Sequence, residues 1–324
     1  MKKAFHICVS SPNEVMFRSL EDYYRGFNCL ALSVYKTNTQ ILADAFMSNH
    51  IHCGVIADAP GPLVKSFRNG YTKYFNNKYG REGMLGEVRY FSSELNGARH
   101  ILATLSYILR NGLHHGMART PFGYSFCSAN SYFRADLGKP QNQHIITTNN
   151  EIVKFLPTHS EFPARYKMGK EGVFLRESVV DVSHVELLYG TPRSFLYYMS
   201  RRSSEEWEKE QEKDDVADSA VTLSMIEEGV WQKDTQTVAN QSTASQTTAA
   251  RAMAKWLANE RGVTEPPPLS DIDVCAKIDT VFVPKFRRKS VYSLTEGEKM
   301  DTARFLARQY GIGSKQLTRC LAIS

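Results

Sequence analysis

Nowhere in the 324 residues is there an apolar run near the roughly 18–20 residues that a bilayer-spanning helix needs, so no membrane-spanning helix is expected. Cysteine is sparse and scattered. Cys8, Cys29, Cys53, Cys127, Cys275 and Cys320 form no CxxC pair, which argues against a zinc ribbon or a disulfide framework. Cys8 and Cys53 sit in apolar runs and read as small core residues. No internal repeat is visible. The opening MKKAFHICVSS is basic, but its apolar stretch is short and alternates, which suits a first strand better than a secretion signal. A cytoplasmic protein without membrane contact is expected.

Net charge is also modest, at +6, but it is unevenly spread. Residues 1–140 hold 16 Lys/Arg against 9 Asp/Glu, residues 141–281 hold 15 against 22, and residues 282–324 hold 9 against 3. Two basic ends flanking an acidic middle are compatible with nucleic-acid contact at both ends, or with solvated surfaces segregated by chance. The patterning divides the chain into a mixed α and β unit over 1–140, an acidic, partly helical middle over 141–234, a flexible linker over 235–270 and a basic helical tail over 271–324. The linker contains the polar, low-complexity stretch TQTVANQSTASQTTAA; RRSSEEWEKEQEKDD in the middle reads as an exposed helix.

Three patterns in the first unit carry chemistry. In FMSNHIHCGVIAD, His50 and His52 are two residues apart, so on a strand they project from one face and can share a divalent cation. The same pattern occurs in unrelated metalloenzymes and in plain strands. A helix is expected over 97–116, with Ile101, Leu102, Leu105, Ile108 and Leu109 on its apolar side and His100, Thr104, Tyr107, Asn111 and His114 in one polar stripe. That stripe either lines a site or faces solvent. Between the two lies a basic and aromatic stretch containing Lys65, Arg68, Tyr71, Lys73, Tyr74, Lys78 and Arg81, followed by Arg89. Cations can follow a phosphate backbone while rings stack on unpaired bases; an ordinary amphipathic helix, with some rings in the core, is the other reading.

Taken together, these pieces resemble the HUH single-tyrosine transposases, and among them the REP-associated tyrosine transposases. Met47-Ser48-Asn49-His50-Ile51-His52 matches a strand of the type M-P-N-H-V-H, and Tyr107-Ile108-Leu109-Arg110-Asn111-Gly112 matches a Y-I-x-x-N-P helix signature. PFGYSFCSANSYF resembles the segment that follows it, and the likeness spans roughly residues 4–135. Ser48 and Gly112 depart from the prolines of those signatures. The resemblance implies an α+β fold: a ferredoxin-like HUH nuclease core, an antiparallel sheet with helices on one face, extended by the middle region and the helical tail.

It also implies a metal-dependent enzyme that nicks and rejoins single-stranded DNA, in the manner of a transposase. Tyr107 is the implied nucleophile, forming a 5′-phosphotyrosine; His50 and His52 hold Mg²⁺ or Mn²⁺, with Asn111 as a further ligand. His100, His114 or a metal-bound water are candidates to assist the tyrosine, and Glu87 to approach the ion. The DNA would be single-stranded, at hairpin-forming or palindromic repeats, and the enzyme either a monomer or a homodimer exchanging the tyrosine helix. A catalytically silent DNA- or RNA-binding protein that keeps the fold is the main alternative; an unrelated metal enzyme using the HIH pair is another. The tail resembles a helix-turn-helix fragment, with Arg287, Arg288, Lys289, Lys315 and Arg319 as phosphate contacts, or else a helical hairpin packed on the core.

Overall fold

The computed structural model describes residues 2–139, 145–146, 148–200, 230–233 and 269–323. The exposed helix expected near 201–215 and most of the expected linker, 235–268, lie outside the described residues.

Alternating apolar runs become β1 (Lys3–Ser10), β2 (Gln40–Phe46), β3 (His50–Ala57) and β4 (Arg89–Leu95). Helices α1 (Leu20–Lys36) and α2 (Gly61–Tyr79) supply the two crossovers. A capping box between Ser19 and Asp22 starts α1 by satisfying backbone N–H groups that have no partner within the helix. All pairings are antiparallel and the strand order is β2-β3-β1-β4, with Val230–Lys233 added outside β4. That order, with a β-α-β-β-α-β sequence, is the ferredoxin-like arrangement. Among the described residues no helix is long and apolar enough to cross a membrane.

Side chains of β3 point alternately to the two faces. Phe46 and its register partner Ile51 look toward α1 and α2, where Phe46 meets Phe17 and Phe27. His50, His52 and Gly54 look the other way. The helix α3 (Gly97–Leu109) lies on that side, and a Cβ on Gly54 would come within 2.7 Å of Leu105. A side chain at 54 would force the Leu105 methyl group to shift. The helices of the ferredoxin-like unit thus share one face, and α3 covers the other; β3 is buried along nearly its whole length as a result.

Residues 148–200 wrap this core. The Asn28 amide of α1 donates to Gly172 O at 2.7 Å and accepts from Phe174 N–H at 2.9 Å. Arg176 pairs with the buried Asp44 of β2 at 2.9 Å. Two further helices, α5 (Val182–Tyr189) and α6 (Pro192–Ser200), brace α3, where the hydroxyls of Ser106 and Tyr189 lie 2.9 Å apart. The short α4 (Asn111–His114) comes directly after α3.

In the tail, α7 (Asp271–Lys277), α8 (Glu296–Tyr310) and α9 (Ser314–Leu321) enclose a second apolar core containing Val274, Ile278, Leu306, Leu317 and Cys320, which Val15 joins. The tail docks on the sheet unit through Arg18, which is fully buried. Its guanidinium pairs with Asp279 at 2.8 Å and donates to Cys320 O at 2.7 Å.

Candidate active site

The strand carrying His50 and His52 and the helix carrying Tyr107 meet on the α3 face. His50 is 1 % exposed and His52 is fully buried, their ring centroids 5.0 Å apart. Tyr107 is half-buried, with its ring 5.6 Å from His52 and 5.7 Å from His114. The polar stripe faces the sheet and not solvent: His100, Thr104 and Asn111 are all buried. The helix does not run unbroken to 116. The chain departs from helical geometry at Arg110 (φ −92°, ψ 2°), and α4 starts anew at Asn111. Gly112 packs against the Tyr124 ring so tightly that a Cβ would lie 2.4 Å from it. A proline at 112, as in the signature the sequence resembles, would not fit this packing. Ser48, the other departure, donates to Asp271 of the tail at 2.6 Å, a bond that proline cannot make.

Burial leaves polar atoms here without hydrogen-bond partners: Nε2 of His52, both amide atoms of Asn111, Oγ1 of Thr104 and Nε2 of His100. Buried polar atoms normally find a partner, and those that do not call for an explanation. Burial, reinforced by His50, His6, His115 and His114, holds the His52 imidazole far below its ordinary pKa, so it is neutral, the form that binds metal. Burial also lowers His100. Among the described residues no group of three or more His, Cys, Asp or Glu side chains forms an ion site. The groups here that could hold a cation are the two imidazoles and the Asn111 amide; Nε2 of His52 and both Asn111 amide atoms are buried without a hydrogen-bond partner among the described residues.

The other candidates are placed as follows. Glu87 accepts from Ser10 Oγ at 3.1 Å, and Ser10 is the register partner of His50, so the carboxylate borders the histidine pair. Its side chain reaches solvent; partial desolvation raises its pKa, while the Ser10 bond and the Arg68 and Arg89 charges oppose that rise. His100 sits at the start of α3, where Nδ1 accepts from Asn96 N–H at 3.2 Å.

The basic and aromatic stretch is mostly structural. Tyr71 is buried and its hydroxyl donates to Met16 O at 2.6 Å; Arg68 is buried and donates to the carbonyls of Val88 and Arg89. Both belong to the core of α2 and are not available to a nucleic acid, which corrects the expectation for them. Tyr74 and Lys78 converge on the buried Asp22, at 2.9 and 2.7 Å, and Arg81 pairs with Glu14 at 2.7 Å. Lys65, Lys73 and Arg89 are exposed. In the tail, Arg287, Lys289 and Lys315 are exposed, whereas Arg288 pairs with Glu298 at 3.0 Å and Arg319 with Asp271 at 2.6 Å.

Two histidines were not singled out in the sequence. His6 of β1 lies with its Nε2 3.0 Å from Nδ1 of His52, and the His115 ring is 5.4 Å from that of His50. A histidine on the same strand face as Cys8 and Ser10 was the available signal for His6.

No protein-family model matches the chain, and no curated protein matches it by sequence. Among solved structures, one described as a REP-associated tyrosine transposase bound to a REP hairpin is similar to it at 16 % identity, with a TM-score of 0.36. That match covers 43 % of this chain and 82 % of the other.

Proposed function

We propose that the protein is a metal-dependent single-strand DNA nicking and joining enzyme, transposase-like in chemistry, with Tyr107 as nucleophile. One observation carries the reading: a half-exposed tyrosine beside a buried histidine pair, with the Asn111 amide and His52 Nε2 unsatisfied among the described residues. His50, His52 and Asn111 would hold Mg²⁺ or Mn²⁺, which when bound would polarise the scissile phosphate.

Tyr107 then attacks phosphorus. A phosphorus–oxygen bond forms to the tyrosine as the bond to the 3′-oxygen breaks, and the freed 3′-hydroxyl takes up a proton. The 5′-phosphotyrosine keeps the bond energy, so a later 3′-hydroxyl can reverse the step and join strands. A free tyrosine titrates near pH ~10, so its proton needs an acceptor; His114, whose ring lies 5.7 Å from that of Tyr107, is placed for that role. Tyr107 lies beside His52 of its own chain, an arrangement that supports a tyrosine acting in cis. Exposed Lys65, Lys73, Arg89, Arg287, Lys289 and Lys315 supply cations for the phosphates of a hairpin substrate.

The test is incubation with labelled single-stranded hairpin oligonucleotides and Mn²⁺, followed by a denaturing gel. A covalent protein–DNA adduct that vanishes in both Tyr107→Phe and the His50→Ala/His52→Ala double variant is the expected result. Cleavage that survives Tyr107→Phe would identify a water-using hydrolase instead. Tight metal-independent binding without cleavage would identify a recognition protein that keeps the fold.

A further inference from the structure

Across the β1–β3 ladder, His6 sits opposite Gly54 and His52 sits opposite Cys8, so the two imidazoles are diagonal neighbours on one face. Gly54 puts no side chain between them and α3, and Leu105 fills that space. Phe91 closes the far side of His6, edge-on at 5.3 Å, and Tyr107 approaches it at 6.0 Å. His6 is 2 % exposed, so bulk water does not compete for its nitrogens. The two rings lie nearly parallel, 29° apart, with Nε2 of His6 3.0 Å from Nδ1 of His52.

A nitrogen pair at that distance shares one proton, and there are two ways to place it. Burial does not choose between them, since either leaves a buried ring N–H, on Nε2 of His52 or on Nδ1 of His6; if His6 donates, the proton of neutral His52 lies on Nε2. Nε2 is then also closed to any cation. If His52 donates from Nδ1, its Nε2 keeps a lone pair and is open to a ligand. The neighbouring histidine shows the second pattern. The Asn49 amide oxygen lies 2.9 Å from Nδ1 of His50, and an amide oxygen can only accept, so His50 donates from Nδ1. Metal-binding histidines generally donate their other N–H to such a partner, which fixes ring orientation and tautomer.

We propose that His6 is a positioning residue for His52. Its Nε2 accepts the Nδ1 proton of His52 and thereby presents the His52 Nε2 lone pair to a divalent cation, as Asn49 does for His50. The proposal rests on the reading of His52 as a metal ligand. A strand and a loop, one from each side, thus orient the pair.

Two measurements test it separately from the metal reading. The first uses ¹⁵N-histidine-labelled, metal-free protein. Long-range ¹H–¹⁵N correlation spectra distinguish protonated from bare ring nitrogens, with His52 assigned by its loss in His52→Gln. The expected result is a protonated Nδ1 and a bare Nε2 in His52 of the wild type, and a mixed tautomer in His6→Phe. A His52 protonated on Nε2 in the wild type, or a tautomer unchanged in His6→Phe, overturns the proposal.

The second is calorimetric titration with Mn²⁺. His6→Phe is expected to weaken binding about 10–100-fold, whereas His6→Gln, whose amide oxygen can take the place of Nε2, stays within a few-fold of wild type. Equal affinity in His6→Phe, or a His6→Gln variant as weak as His6→Phe, overturns the proposal. A wild type that takes up no Mn²⁺ overturns the metal reading instead, and the His52 tautomer, which needs no metal to bind, still decides the role of His6.

Discussion

The two faces of the sheet are built on opposite principles. On the α1/α2 face, Phe46 stacks among Phe17 and Phe27, Tyr71 among Phe67 and Phe75, and the Tyr71 hydroxyl is satisfied by Met16 O. On the α3 face the same strands present His6, His50 and His52 to Thr104 and Tyr107 of α3 and Asn111 of α4, and several of the buried polar atoms there have no hydrogen-bond partner among the described residues. Burying an aromatic side chain stabilises by roughly 1.5–3 kcal/mol, whereas a buried unsatisfied polar group costs about 1–3 kcal/mol. One face therefore supplies stability that the other gives up. A fold selected for stability alone has no use for the second face; a fold that must receive a cation and a phosphate does.

That contrast can be broken at four points. The largest effect is expected from Tyr107→Phe, which should lower adduct formation by on the order of 10³-fold or more while leaving the thermal midpoint nearly unchanged. A large loss of stability would mean that Tyr107 serves packing. Next comes Phe46→Ala on the opposite face, expected to cost about 3–5 kcal/mol in denaturant unfolding. A loss below 1 kcal/mol would deny that this face is the stabilising one.

Asn111→Leu should move in the other direction. Removing two unsatisfied buried amide atoms is expected to raise the stability of the metal-free protein by about 1–3 kcal/mol, with Mn²⁺ affinity falling. Destabilisation would show that the amide is satisfied in solution. The smallest effect concerns His100, whose pKa burial lowers in the fold. The unfolded chain, titrating near ~6.5, then binds more protons than the folded one just below that pH. The His100 contribution should be complete above about pH 6.5 and decline below it, by at most about 1.4 kcal/mol per pH unit, in addition to the decline that the lowered His52 causes in the same range. His100→Gln should flatten that part of the profile, and an unchanged profile would assign the slope to another group.

What was legible in the sequence was whatever local periodicity encodes. The spacing of His50 and His52 on a strand, and the 4-3-4-3 steps from His100 to His114 on a helix, put those residues on one face each, and the sheet brings the faces together. What was not legible depends on partners far along the chain. Arg68, Tyr71 and Tyr74 look like nucleic-acid contacts by composition, but Asp22, Met16 O and the β4 carbonyls take them up. His6 is 46 residues from His52, and nothing local marks the pair. The break at Arg110 precedes the packing of Gly112 on Tyr124, and residues 148–200 follow the surface they wrap. Neither leaves a periodic trace.

The docking of the tail through Arg18 has a consequence for synthesis. Cys320, whose carbonyl takes one Arg18 hydrogen bond, is made 302 residues after it. At ribosomal rates of about 5–20 residues per second, that is a delay of about 15–60 s. For that interval the emerging sheet unit carries a guanidinium whose eventual cage does not exist, and the entrance to α1 has to stay hydrated until the tail arrives. This docking is thus gated by translation of α9, and a nascent chain stalled before α9 would expose Val15 together with an unpaired Arg18 site.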